Sequence, residues 1–203
     1  MKLKIGIALS VVVVIGCVIG FILPWYQITY NIPFSNNDAV ATFRWKDYKC
    51  EIGDNSNTLK YDKLESCAGI TILNKMEKTG QIFDTCLSFL VIGAALSLGA
   101  GLLQLILLLS PKLCRSIVWK ILCIGTSCAA VAILFISFFT LLGLPKAFND
   151  DSNGFNSCKD RWCKNIYGSD DNFKWIPGGG WWATLVACFF ALCSGLFTLA
   201  SNR

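Results

Sequence analysis

TCLSFLVIGAALSLGAGLLQLILLL, residues 85–109, is the stretch whose reading decides the fold. It carries no acid and no base over 25 residues, and a bilayer hydrocarbon core about 30 Å thick needs about 20 mostly apolar residues in a helix to cross it. Working outward, three further runs meet the same requirement, at 5–24, 117–144 and 181–200. Asp84 and Lys120 touch only the edges of the runs, where a charged side chain reaches the headgroups and avoids a mid-membrane cost of at least about 2.5 kcal/mol. With 54% hydrophobic and 15% charged residues and a mean hydropathy of +0.55, the 203 residues read as a single four-span membrane domain.

The first run resembles a secretory signal, because Met1-Lys2-Leu3-Lys4 precedes it. At about 19 residues it exceeds the apolar region of such a signal, about 7 to 15, and no small-x-small cleavage site precedes Pro24. A retained helix is the expectation. Orientation follows from the basic residues of short loops. Lys2, Lys4, Lys112, Arg115, Lys120 and Arg203 flank one side of the spans with no acid among them. All 13 acids lie in 25–84 and 145–180, beside the other 12 of the 18 Lys and Arg. This predicts cytosolic termini, an inner connector at 110–116, and outer loops at 25–84 and 145–180. The net charge of +5 sets topology and points to membrane lipid as a partner, not to nucleic acid.

Cysteine usage suits that topology, since disulfides persist outside the cytosol. Cys50 and Cys67 fall in the first outer loop and Cys158 and Cys163 in the second; pairing within each loop is the simplest of three connectivities. Cys17, Cys86, Cys123, Cys128, Cys188 and Cys193 sit in the spans as small hydrophobes. Cys114, between Lys112 and Arg115 at the inner edge, is a candidate for S-palmitoylation. The chain has no His and no CxxC pair, so neither a metal site nor a cofactor is expected. No GxSxG, HExxH or phosphate-loop run occurs, and no catalytic residue is assigned. Gly178-Gly179-Gly180 reads as a flexible lead-in to the fourth span.

Helices in lipid associate by close backbone approach, so small residues mark their contacts. Gly93, Ser97 and Gly101 recur every four residues in the second span, and Gly16 and Gly20 do so in the first. They predict a left-handed four-helix bundle. Gln104, the strongly polar side chain deep in a span, is expected to hydrogen-bond across helices. In the first outer loop bulky and polar residues alternate over 25–32 and 39–45, predicting strands; turns are expected at 35–38 and 54–57. A further strand is expected at 172–176, able to join the sheet edge. Trp162, Trp175, Trp181 and Trp182 read as interfacial anchors or sheet-face residues. Asn156-Ser157-Cys158 is a rare variant of a glycosylation site.

The outline resembles the claudins and their relatives among the peripheral myelin protein and calcium-channel gamma-subunit groups. Leu23-Pro24-Trp25 leaves the first span, and Trp45 precedes Cys50 and Cys67, similar to the claudin pattern of a tryptophan ahead of two disulfide-bonded cysteines. The resemblance implies a membrane all-α protein with a small extracellular β-sheet, and structural roles for Trp25, Trp45, Cys50 and Cys67. The chain departs from the pattern in several places. Phe43-Arg44 stands where Gly-Leu usually precedes the tryptophan, the cysteine spacing is longer, Cys158 and Cys163 are extra, and the chain ends Ser201-Asn202-Arg203. Tetraspanins fit worse, because their larger loop lies between the third and fourth spans.

The expected function is structural, through contacts with other membrane proteins or self-association at the plasma membrane. A pore component is the alternative, with Asp47, Glu51, Asp54, Asp62 and Glu65 as candidate pore-lining acids. Their neighbours Arg44, Lys46, Lys49, Lys60 and Lys63 give those acids the plainer reading of a balanced, solvated face. An enzyme or transporter has no intramembrane ionisable group to support it.

Overall fold

The computed structural model describes residues 2–33, 38–62, 76–110, 116–152 and 158–201. Cys67, Cys114, Lys63, Glu65, Lys112, Arg115, Arg203, the expected turn residues at 35–37 and the sequon residues 156–157 lie outside them. In chain order the elements are α1 (Lys2–Ile22), β1 (Tyr26–Asn31), β2 (Asp38–Phe43), β3 (Asp47–Ile52), β4 (Asn55–Lys60), α2 (Glu77–Leu109) and α3 (Ile117–Thr140). A 3-10 turn (Leu141–Gly143) then leads to α4 (Leu144–Asp151), β5 (Gly168–Ser169), β6 (Phe173–Pro177) and α5 (Gly179–Ala200). Four helical stretches among the described residues are long and apolar enough to cross a membrane: α1, α2, α3 continued through α4, and α5. The chain is thus a multi-pass membrane protein, mostly helical, with a small antiparallel sheet.

Helix ends differ from the apolar runs because hydropathy reports lipid-matched residues, whereas helices stop where their end groups are satisfied. α2 starts at Glu77, not Thr85, since the Asp151 carboxylate accepts the N–H groups of Lys78 (3.0 Å) and Thr79 (2.8 Å). Two orphan donors of the first turn are satisfied in this way, beside the positive end of the helix dipole. α4 carries helix into the expected second outer loop. Pro145 lies in its first turn, where a missing N–H costs nothing.

Two compact units compose the chain: Met1–Phe21, Ser88–Phe138 and Ala183–Arg203 form one, and Ile22–Leu87 with Phe139–Trp182 the other. The first is a ring of four helices whose neighbours meet at small residues. A Cβ on Gly101 would lie 3.2 Å from Ser10, on Gly16 3.3 Å from Ala187, on Gly93 2.6 Å from Leu134 and on Gly195 3.4 Å from Ser127. These contacts join α1 to α2, α1 to α5, α2 to α3 and α3 to α5. The buried face of α1 is Gly6, Ser10, Val13, Cys17 and Gly20, whereas Val11, Ile15, Leu98, Ile121, Phe189 and Leu196 are exposed. Small side chains and hydroxyls inside, bulky hydrocarbon outside, is the polarity that a lipid solvent selects.

The second unit is organised by the sheet, in the order β4-β3-β2-β1-β6-β5 with every neighbouring pair antiparallel. β1 and β2 fall where alternation predicts them. β6 matches the expected strand at 172–176 and pairs with β1, with β5 beyond it. The expected turn at 54–57 is corrected: Gly53 takes φ 55°, the hairpin loop is Gly53-Asp54, and Asn55–Asn57 already belong to β4. A left-handed backbone at glycine closes a two-residue hairpin without steric cost, so residues with turn chemistry become strand.

Candidate functional site

The sheet has two unlike faces because alternate residues of a strand point to opposite sides. One face supplies the buried Tyr26, Ile28, Ala39, Ala41, Phe43, Tyr48, Cys50 and Leu59. Phe43 is the hub: its ring lies 5.7 Å from Tyr48, 6.1 Å from Phe83 and Tyr26, and 5.4 Å edge-on from Phe148. Tyr61 continues the stack onto Phe83 at 5.8 Å. The opposite face is polar. One cross-strand row runs Ile176, Gln27, Thr42, Lys49, Thr58, and the next Lys174, Thr29, Val40, Glu51, Ser56. Lys49 and Glu51 pair at 2.5 Å on this face.

Trp25 is fully buried, and its backbone bridges two segments. Its N–H donates to the Phe43 carbonyl (3.0 Å), and its carbonyl accepts from Gly178 (2.8 Å). Gly180 donates to the Pro24 carbonyl (2.9 Å). A Cβ on Gly178 would lie 2.2 Å from that oxygen, so only glycine fits. The expectation of a flexible glycine lead-in is therefore corrected: Gly178 is a close-approach joint, and Gly179 and Gly180 are the first residues of α5.

Trp45 sits half-buried in the β2–β3 connection, with the Lys46 ammonium 4.8 Å from its ring centre. A cavity of about 390 Å³ opens there, lined among the described residues by Trp45, Lys46, Lys60, Tyr61, Asp62, Glu77 and Asp84, with others. No local motif announces it, because the lining residues are spread from position 45 to 84 and meet only through the fold. The Tyr61 hydroxyl donates to the Arg44 carbonyl at 2.6 Å. Burial, with Asp47 and Asp84 nearby, pushes its ionisation well above the usual tyrosine range despite that bond. Burial alone pushes Tyr26 up, and the Tyr26 hydroxyl has no hydrogen-bond partner among the described residues.

Cys50 is disulfide-bonded; Cys67, its expected partner, is outside the described residues. Cys158 and Cys163 are bridged, with Cα atoms 5.2 Å apart. The bridge closes a turn that aims Arg161 over the Phe173 ring at 4.4 Å and into an ion pair with Asp170. Asp170 also accepts the N–H groups of Asn172 (3.0 Å) and Phe173 (2.7 Å). Partial burial pushes its carboxyl up, but the Phe173 and Asn172 amides and the Arg161 guanidinium outweigh this and hold it below the usual range. Trp162 and Trp175 pack edge to face in the same cluster. The Trp175 indole donates to the Asn165 carbonyl at 3.1 Å. Trp181 is buried and Trp182 exposed.

In the helical unit Gln104 is fully buried. Its amide nitrogen donates to Ser194 (3.0 Å) and Thr198 (2.8 Å), and its oxygen accepts from Ser10 (3.3 Å). Ser194 in turn donates to the Gly6 carbonyl (2.9 Å). Three helices are thereby tied through one amide, and the Ser97 hydroxyl donates to the Gly93 carbonyl on its own helix (2.8 Å). Among the described residues no cluster of three or more His, Cys, Asp or Glu is placed to hold a metal ion. Compared with known proteins, the chain matches no family model and no curated protein.

Proposed function

We propose that this chain is a claudin-like four-span protein of the plasma membrane that acts as a structural or assembly component. Its termini lie in the cytosol, and its sheet lies outside as the surface offered to a partner protein or to a second copy. The observation that carries this reading is that one chain combines a helical unit with small and hydroxyl-bearing residues inside and bulky hydrocarbon outside with a six-stranded sheet that buries one aromatic face and leaves the other polar. Trp25, Trp45 and the Cys50 disulfide support the claudin-like assignment by their places at the root and turn of that sheet.

The test is purification of the full chain from its native membrane in mild detergent, with mass spectrometry of what accompanies it and non-reducing peptide mapping of Cys50, Cys67, Cys158 and Cys163. A stoichiometric membrane-protein partner or a defined homo-oligomer is the expected result. A monomer with no companion, or an outer tag that maps to the cytosol, overturns the reading. The alternative, a pore component, draws on Asp47, Glu51, Asp54, Asp62 and Glu65, the last outside the described residues. It requires conductance across a cell layer to change when they are neutralised, and the Lys49–Glu51 pair already offsets one of these charges.

A further inference from the structure

A groove of about 350 Å³ runs along the helical unit between α3 and α5. Its lining includes the small residues Ser127 and Cys128 on α3 and Gly195 on α5, together with the bulkier Phe135 and Leu196. The Ser127 hydroxyl in that lining is already satisfied, donating to the Cys123 carbonyl at 3.0 Å. An unfilled groove of this size would forfeit dispersion contacts along its whole lining, and the surrounding solvent for an apolar outer surface is lipid.

Three observations together choose the occupant. From Ile124 to Phe135 the groove follows α3 for 11 residue steps, about 16 Å at 1.5 Å per residue, and half of a bilayer core is about 15 Å. The groove therefore has the length of one leaflet. Its lining is hydrocarbon, which suits an acyl chain. Lys120 lies one helical turn beyond Ile124 on the same face of α3, half-buried and with no ion pair among the described residues. A cation at the end of a leaflet-length apolar groove is complementary to a lipid phosphate.

We propose that this groove is a binding site for an anionic phospholipid, with an acyl chain lying between α3 and α5 and the headgroup phosphate on the Lys120 ammonium. The site is separate from the sheet and stands whether or not the sheet binds a partner.

The full chain is reconstituted in vesicles of phosphatidylcholine doped with phosphatidylglycerol, extracted gently, and its retained lipids are counted by native mass spectrometry. The wild type should retain phosphatidylglycerol in preference to phosphatidylcholine. Lys120→Gln should lower that preference about fivefold, the worth of one basic residue at a membrane surface. Cys128→Trp, which fills the groove, should abolish retention of both lipids. Ala132→Phe, further along the lining, gives an independent blockade if Cys128→Trp does not fold. Leu98→Trp, on the exposed face of α2, should change nothing. Retention that survives both blocking variants overturns the proposal. So does a preference indifferent to Lys120→Gln, displacement by a sterol, or a wild-type dimer that the blocking variants convert to monomer.

Discussion

The two units solve opposite solvent problems with the same twenty amino acids. Around Gln104 the helical unit keeps Ser10, Ser194 and Thr198 inside and turns Leu98, Phe189 and Leu196 outward. Around Phe43 the sheet-bearing unit collects aromatic rings inside and turns Thr29, Thr42, Lys49 and Glu51 to the other face. Between helices in lipid, hydrocarbon gains little by burial, so close backbone approach and hydrogen bonds do the packing. In the sheet unit, burial of rings from water supplies the driving force. A substitution should therefore have consequences that depend on the unit it falls in.

The largest expected effect is at the Pro24–Gly178 approach. Gly178→Val should destabilise the sheet-bearing unit by about 3 kcal/mol, the upper end of overpacking costs, measured by denaturant unfolding followed through tryptophan fluorescence. Wild-type stability would show that this joint gives way. Next, Cys158→Ser with Cys163→Ser should cost about 2 kcal/mol, because the bridge closes a loop of only five residues' separation and short loops gain least. The same assay in non-reducing conditions reads it.

The helical unit should answer more weakly and with a different ranking. Gln104→Leu should cost about 1 kcal/mol, the usual scale of an interhelical hydrogen bond in a membrane, whereas Leu98→Ala should cost close to nothing because lipid solvates either surface. Unfolding in mixed detergent micelles compares the two. If Leu98→Ala proves the costlier, the inside-out polarity is not what holds this unit together. The smallest pair sharpens the aromatic core. Tyr61→Phe should lose about 1 kcal/mol with its bond to Arg44, while Tyr26→Phe should be neutral or slightly stabilising, since the hydroxyl it removes is buried and finds no partner among the described residues.

Asp170 adds a pH dependence confined to the acid side. Its carboxyl is held below the usual range, so the fold binds its proton less readily than the unfolded chain does. The stabilisation is complete above the ordinary carboxylate range and is lost as pH falls through the lowered value. Asp170→Asn should flatten that part of the acid-unfolding curve.

Much of this architecture could be read from residue order alone, where the signal is local. An apolar run of more than about 20 residues has few alternatives to a spanning helix, and alternation over 25–32 and 39–45 marks a two-faced strand. The same locality explains the misreadings. The run at 54–57 has turn composition, but Gly53 closes the hairpin before it and leaves it as β4. The start of α2 depends on Asp151, whose carboxylate sits more than seventy positions along the chain from the donors it caps.

Composition and spacing by themselves thus determined that the chain has four stretches long and apolar enough to cross a bilayer, which residues are small enough for close helix contact, and where the two longer connecting segments lie. Only the tertiary structure decided that Gly178 is a joint with no room for a side chain, that Gln104 ties three helices, and that α3 and α5 leave a groove between Ile124 and Phe135. The physical reason is range. Transfer to lipid and strand alternation act through consecutive residues, whereas steric approach, cross-helix hydrogen bonds and cavities arise between segments that sequence order does not bring together.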